Sequence, residues 1–124
     1  MNAFSMAKTA YTNSNTPIRT ARGTEYDAFA RITHRLKVAA KDDKKFNALA
    51  TALYENNKLW SILAADVSDK DNTLPQELRG QIFYLYEFTA QHTRKVLNKK
   101  ATIDALVDIN TAVMRGLRSE AGAV

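Results

Sequence analysis

Side chains that could act as general bases, nucleophiles or metal ligands are few in this sequence and scattered along it. The chain of 124 residues contains two histidines, His34 and His92, and no cysteine. The histidines fall in different predicted helices, and a lone histidine on an apolar helical stripe, such as His92, is usually a hydrogen-bonded structural group. Without cysteine there is no thiolate nucleophile, no disulfide and no cysteine-based zinc site.

The acidic residues do not meet the requirements of known sites either. A calcium loop starting at Asp69 would have Leu74 where the turn glycine is required and Gly80 in place of the bidentate glutamate. Asp104 and Asp108 are an i, i+4 pair with no acid–base partner nearby in the sequence. Glu-x-x-His pairs of the di-iron type and phosphate-binding glycine loops are missing. We therefore expect a protein that is not an enzyme and has no cofactor and no metal site.

The composition is that of a soluble, helical, single-domain protein. Apolar residues make up 45% and charged residues 25% of the chain, and only four glycines and two prolines interrupt it, which favours long helices. The longest run of large apolar residues, Ile82 to Tyr86, is far too short to span a bilayer. The start of the sequence lacks the apolar core of a signal peptide. These features predict a cytoplasmic protein without membrane insertion.

The net charge of +5 is unevenly distributed. Residues 1–23 contain three basic residues and no acidic residue, and a second basic cluster falls where a helix should end: Arg94, Lys95, Lys99 and Lys100. Cations at that position complement the negative end of a helix dipole. The alternative interpretation is a patch that binds RNA or an acidic partner.

The periodicity of apolar residues predicts four main helices. The first starts at Thr16-Pro17 or at Thr24 and extends to about Lys41. The second has the clearest stripe, with steps of three and four residues: Phe46, Leu49, Leu53, Asn56, Trp60, Leu63 and Val67. The third opens at "LPQEL", with Pro75 near its first turn, and the fourth runs from about Thr102 to Leu117.

Short loops between long amphipathic helices predict an all-α fold, a small and mostly antiparallel bundle of four main helices. We expect residues 1–15 to be a flexible basic arm, residues 16–118 to form the single bundle domain, and residues 119–124 to be a disordered tail. On two different helices an asparagine, Asn56 and Asn110, replaces an apolar stripe residue. A buried amide must satisfy its donors and acceptors, so we expect a hydrogen-bonded cross-link, either between the two asparagines or to backbone at a helix end, that fixes the register of the helices.

The third helix has more apolar surface than one stripe requires. At about 100° per residue, Phe83 and Tyr84 point away from the stripe through Ile82 and Leu85, and the second helix has a smaller patch off its stripe. Such a surface must be covered by a central position in the bundle, by the N-terminal arm or by a partner. The candidate partner-binding residues are Leu59, Ile62, Phe83, Tyr84 and Phe88.

Three segments, "ALYENNKLWSILAADV", "LPQELRGQIFYLYEFT" and "LVDINTAVMRGLR", resemble the FlaF family of flagellar biosynthesis regulators. The residues that carry the resemblance lie in the order and at the spacing of the family, which the chain follows from about Pro17 to Arg118. They are Asn56, Leu59 and Trp60, then Leu74, Pro75, Glu77, Leu78 and Arg79, and finally Asp108, Ile109, Asn110, Gly116 and Leu117.

The resemblance implies a cytoplasmic, non-enzymatic protein that acts on flagellin as a chaperone or regulator and couples its synthesis to secretion. We expect the partner to be a terminal amphipathic segment of flagellin, bound by its apolar face. We assign Asn56, Trp60, Pro75 and Asn110 to the architecture. The alternative is a post-transcriptional regulator that binds flagellin mRNA or the partner regulator FlbT.

Overall fold

A computed structural model describes residues 21–42 and 44–122, with the backbone alone for residues 21–22 and 117–122. Its helices are α1 (Ala21–Ala40), α2 (Phe46–Ser68), α3 (Gln76–Leu97) and α4 (Asp104–Gly122). A connection of five to seven residues reaches at most about 25 Å and cannot return along helices about 28–35 Å long. Consecutive helices are therefore antiparallel, and the predicted all-α bundle is confirmed.

The helices form a ring in which one contact is much weaker than the others. α1 packs against both α2 and α4, and α2 packs against α3, whereas α3 and α4 barely approach each other. α2 and α4 face each other diagonally across the core. The bundle is thus well packed on three sides and loosely packed along the edge between α3 and α4.

Two apolar clusters fill the centre of the bundle. One surrounds Trp60, whose ring is fully buried and meets Phe29 of α1 edge to face, with centroids 5.4 Å apart. The other, nearer the α1–α2 and α3–α4 loops, contains Leu36, Leu53 and Leu106, all fully buried. Each cluster takes side chains from at least three helices, so the apolar stripes of the sequence do face one common core.

A buried polar network lies within this apolar core. Nδ2 of Asn110 donates to Oδ1 of Asn56 (2.8 Å) and to the hydroxyl of Thr33 (3.0 Å). Oδ1 of Asn110 accepts from Nε1 of Trp60 at 2.8 Å. The expected cross-link between the two asparagines is confirmed, and Thr33 and Trp60 extend it. One carboxamide on α4 thereby ties together α1, α2 and α4.

α3 is not part of that network and has two other attachments. The Thr93 hydroxyl lies 3.0 Å from Oδ1 of Asn57 on α2. Nε2 of His92 donates to the carbonyl oxygen of Thr102 at 2.8 Å, which gives His92 the structural role favoured by its position on an apolar stripe. Both attachments lie in the C-terminal half of α3. The N-terminal half has one long polar contact, 3.5 Å from Nη1 of Arg79 to the Asp69 carbonyl.

The α2–α3 loop is built from side chains that accept hydrogen bonds from nearby backbone. Oδ1 of Asp69 accepts from the backbone N–H of Asp71 (2.9 Å), and this bond lowers the pKa of the Asp69 carboxyl. Oδ1 of Asn72 accepts from the N–H of Leu74 (2.9 Å). Pro75 then occupies the N-cap of α3, where its missing N–H is not needed, so the predicted helix start is correct.

Some predicted boundaries and orientations differ from the structure. A start of the first helix at Thr24 is wrong because α1 already includes Ala21; the Thr16-Pro17 start and the residue 1–15 arm lie outside the described residues. α4 continues to Gly122, past the predicted boundary at residue 118, through residues with adequate helix propensity. Phe46 is 43% exposed, because it begins α2 at the end of the bundle.

The basic cluster at the end of α3 forms a helix-terminating motif. The N–H of Lys99 donates to the carbonyl of Val96 (3.0 Å), and the N–H of Lys100 donates to that of Lys95 (2.8 Å). Lys99 has φ of 59°, the left-handed conformation that glycine usually supplies in a Schellman motif. Arg94 and Lys95 lie in the last helical turn, where their charges complement the helix dipole.

We predict that Asn110→Ala lowers the free energy of unfolding by about 3–5 kcal/mol, because it removes three buried hydrogen bonds and leaves a cavity. Asn56→Ala should cost less, since only one of those bonds involves its side chain. Urea denaturation followed by circular dichroism measures both. The control is Asn47→Ala on the exposed face of α2. A loss below about 1 kcal/mol for Asn110→Ala would contradict the role of the network.

We predict that Lys99→Gly raises the free energy of unfolding by about 0.5–1 kcal/mol, because glycine adopts the left-handed conformation without the steric cost of a Cβ. Lys99→Ala is the matched control: it removes the same charge but keeps the Cβ, and it should bring no gain. Thermal melting of the two variants measures the difference. Equal stabilisation by both would show that charge, and not the backbone, is responsible.

Candidate partner-binding groove

An apolar groove runs along the loose edge between α3 and α4. It encloses about 130 Å³. Its lining is almost entirely aliphatic and includes no charged residue: Leu74, Leu78, Gln81, Ile82, Leu85, Ala112, Val113 and Gly116. Leu74 and Ile82 are buried, while Leu78, Leu85 and Val113 are partly buried and reach the surface through the groove. The bundle core is therefore accessible from outside at this edge.

The groove is open because small residues of α4 face large residues of α3. Ala112 and Gly116 are one helical turn apart and so lie on the same face of α4. A Cβ placed on Gly116 would meet no other atom within 4 Å. Gly116 is therefore not required for close packing of the helices. Its effect is to leave space opposite Leu74 and Leu78.

Beyond the residues that line the groove, α3 is attached to the α3–α4 loop by the contact between His92 and Thr102. The His92 ring also stacks on Phe88, with centroids 5.5 Å apart and an interplanar angle of 18°. These contacts join α3 to the α3–α4 loop, whereas no comparable polar contact crosses the edge near Leu78 in the part of the chain that the structure describes. The edge is thus fixed beside the loop and opens towards the start of α3.

Two of the predicted partner-binding residues lie on the groove side of α3. Tyr84 is 67% exposed and, with Glu77 and Gln81, forms the outer rim beside Leu85. Phe88 lies one turn further along and is partly buried against His92. Tyr84 is therefore available to a ligand in the groove, whereas Phe88 packs on His92 and does not line the groove.

The remaining three candidates do not join this surface. Phe83 is 42% exposed but lies about 100° around α3 from Tyr84, and its ring contacts Tyr86 edge to face at 5.9 Å. Ile62 is partly buried on the edge of α2 that includes Glu55, which forms an ion pair with Arg35 of α1. That edge faces α1, so Ile62 is far from the groove.

The expectation that Leu59 faces outward is wrong. Leu59 is only 5% exposed and belongs to the apolar cluster around Trp60. It lies between Glu55 and Ile62 on the edge of α2 that packs against α1. A helix in a ring of four contacts two neighbours, so its buried sector is wider than one stripe. A prediction based on a single buried stripe therefore places Leu59 on the protein surface instead of in the core.

The residues that form the groove floor were assigned to the core by their periodicity. Leu78, Ile82, Leu85 and Val113 are at stripe positions, and nothing in that pattern separates a groove wall from a core residue. The available signal was the pair of small residues Ala112 and Gly116 at i, i+4 spacing, on the face of α4 beside its apolar stripe. Such a pair marks either a close helix contact or a space, and the structure shows a space.

Within residues 21–42 and 44–122, no three His, Cys, Asp or Glu side chains are grouped so that they could hold a metal ion. None of the helices described is both long enough and apolar enough to cross a bilayer.

The residues of the groove and of the polar network include those on which the family resemblance rests. The sequence profile of the flagellar protein FlaF matches residues 7–117, which is most of the chain. The chain belongs to the FlaF family of flagellar proteins. No curated protein and no solved structure matches it. In this FlaF protein, the Asn-x-x-Leu-Trp motif supplies Asn56 and Trp60 to the network, and the Leu-Pro-x-Glu-Leu segment supplies Leu74 and Leu78 to the groove.

We predict that Gly116→Ala raises the free energy of unfolding by about 0.5–1 kcal/mol, because alanine favours the helix and its methyl group enters open space. Chemical denaturation measures the change. Gly80→Ala, at an exposed position of α3 where an added Cβ would also meet no other atom within 4 Å, controls for helix propensity alone. Destabilisation by Gly116→Ala would mean that α3 and α4 approach each other more closely here than the structure shows.

Proposed function

We propose that this FlaF protein is a non-enzymatic chaperone that binds a terminal amphipathic segment of unassembled flagellin in the groove between α3 and α4. The proposal depends on one observation above all: the groove gives access to an aliphatic lining at the surface of a small helical bundle. A flagellar protein with such a groove is suited to a partner with an exposed apolar helix face. We further propose that binding takes place in the cytoplasm, where flagellin is made.

The dimensions of the groove suit a short helical ligand. Leu78 and Leu85 are two turns apart, about 10 Å along the axis. A bound helix would place one large apolar side chain in the groove and pack its neighbours at i+3 or i+4 and i+7 spacing against the groove mouth. Val113 and Ile82 form the floor beneath them, and the exposed ring of Tyr84 borders the mouth. The ligand would thus complete the weak side of the bundle.

The expected affinity is moderate. Contacts of up to three apolar side chains contribute at most about 5–9 kcal/mol, whereas ordering a disordered segment costs about 2–5 kcal/mol and association costs at least about 4 kcal/mol in lost translational and rotational freedom. The small difference favours a reversible complex, which a protein must form if it is to hand flagellin on to export. Occupancy of the groove would then report how much flagellin awaits secretion, and this is the proposed coupling between synthesis and export.

We predict that Gly116→Leu, which fills the groove, weakens flagellin binding at least tenfold while leaving the helical content and the melting temperature close to those of the native protein. Ala65→Leu is the matched control, because Ala65 is exposed on α2, away from the groove. Tyr84→Ser should weaken binding several-fold through loss of the rim contact. The measurement is affinity purification of each variant from motile cells, with quantification of flagellin and identification of bound RNA.

Two outcomes would count against the proposal. Equal recovery of flagellin by Gly116→Leu and by Ala65→Leu would remove the groove as the binding site. Recovery of FlbT without flagellin would favour an adaptor for the partner regulator, and recovery of flagellin mRNA with steep salt dependence would favour the post-transcriptional alternative.

A further inference from the structure

A second concave surface lies at the end of the bundle formed by the α1–α2 and α3–α4 loops. It encloses about 560 Å³, within the range of pockets that hold ligands. Its large apolar residues come from two helices and one loop: Phe46, Leu49, Val96 and Ile103. It is separate from the groove, which begins at Leu74 near the opposite end of the bundle.

Phe46 makes this surface unusual. Val96 and Ile103 are buried, and Leu49 is partly buried, but the Phe46 side chain is 43% exposed at the mouth of the concavity. A large aromatic ring next to an aliphatic floor offers substantial apolar area to a ligand at low entropic cost. The helix α2 would need only a small residue at this position for its own packing.

Two lysines, Lys45 and Lys99, line the concavity together with Asp42 and Asp104, and further lysines lie nearby in the same loops. Lys41, Lys44 and Lys45 lie in the α1–α2 loop, and Lys99 and Lys100 lie in the α3–α4 loop, so folding brings two separate basic segments together. All five lysines are exposed, and none forms an ion pair within 4 Å in the described part of the chain.

The two aspartates of the lining each have a local partner. Oδ1 of Asp42 accepts from the backbone N–H of Lys44 at 2.9 Å. Asp104 lies in the first turn of α4, where its charge complements the positive end of the helix dipole. Residues 41–45 and 98–104 together contain five lysines and three aspartates, a net charge of +2 around the apolar floor.

We propose that this end of the bundle binds an acidic peptide segment that carries a large apolar side chain. The apolar side chain would pack on Phe46 and Leu49, and its acidic neighbours would face Lys45 and Lys99. The concavity has room for only a few residues, so the recognised motif is short.

RNA fits the same surface less well. The floor is aliphatic apart from one aromatic ring, and its lining contains no arginine, the residue that stacks on bases and binds phosphate in a bidentate manner. The acidic peptide uses both the floor and the lysines, whereas RNA would use the lysines alone.

The proposal is tested by selecting ligands for the full-length protein from a display library of random 12-residue peptides. We expect the enriched peptides to combine two or more acidic residues with an aromatic or large aliphatic residue. Synthetic copies labelled with fluorescein should lose at least tenfold in affinity, by fluorescence anisotropy, to Phe46→Ser and to the double variant Lys45→Gln, Lys99→Gln. Affinity should also fall several-fold between 50 and 300 mM salt, on the order expected from Debye screening.

Matched controls separate this site from the rest of the surface. Tyr54→Ser removes another exposed aromatic residue of α2, and Lys58→Gln removes an exposed lysine of the same helix; neither should change peptide binding. Gly116→Leu should also have no effect, which distinguishes this site from the groove.

Several results would overturn the proposal. These are an absence of enrichment over the uncoated support, enriched peptides without acidic residues, or binding that Phe46→Ser and the lysine variant leave unchanged. Tighter binding of a 20-nucleotide single-stranded RNA than of the best peptide, lost in the lysine variant alone, would assign the surface to nucleic acid instead.

Discussion

The carboxamide of Asn110 must satisfy polar groups on two other helices while fully buried in an apolar core. Its two N–H groups and its oxygen are all engaged, with Thr33, Asn56 and Trp60. A buried donor or acceptor without a partner costs about 1–3 kcal/mol, so α1, α2 and α4 can adopt few relative positions other than the observed one. Apolar contacts alone would not impose this restriction, because the hydrophobic effect is not directional.

The hydrogen bonds of the Asn110 side chain do not include any residue of α3. Its directional contacts, through His92 and Thr93, lie in its C-terminal half, while its N-terminal half is held mainly by the apolar contacts of Leu78, Ile82 and Leu85. The groove lies beside that half. Because α1, α2 and α4 are held in fixed relative positions, the wall of the groove formed by α4 is fixed. The wall formed by α3 has more freedom to adjust to a ligand.

Much of the fold could be predicted from the sequence, because periodicity reports which residues are buried. The link between Asn56 and Asn110 was also predictable, since two amides in apolar stripes need partners. Which helices become neighbours is not encoded in any single stripe. For that reason Leu59 was assigned to the protein surface, although α1 covers it. The groove was not found, although two of its wall residues, Ile82 and Leu85, lie on the predicted stripe of the third helix.

The predicted site was affected by the same limitation. Periodicity shows how far a side chain points from the main stripe, and this was correct for Tyr84 and Phe83. It does not show which neighbouring helix lies on either side, so residues on separate faces were combined into one surface. The basic surface around Phe46 was missed for a related reason: its lysines come from two loops that are more than fifty residues apart in sequence.

The contact between His92 and Thr102 has a mechanical consequence. It attaches α3 to the α3–α4 loop at one end of the edge that α3 shares with α4. A change in the width of the groove therefore requires α3 to rotate about that point. Leu78 is 14 residues from His92, about 21 Å along the helix. A rotation of about 5° would therefore displace Leu78 by roughly 2 Å at that radius, while the hydrogen bond at the pivot would hardly lengthen. The attached end thus sets the alignment of α3 relative to α4, and the position of the free end sets the width of the groove.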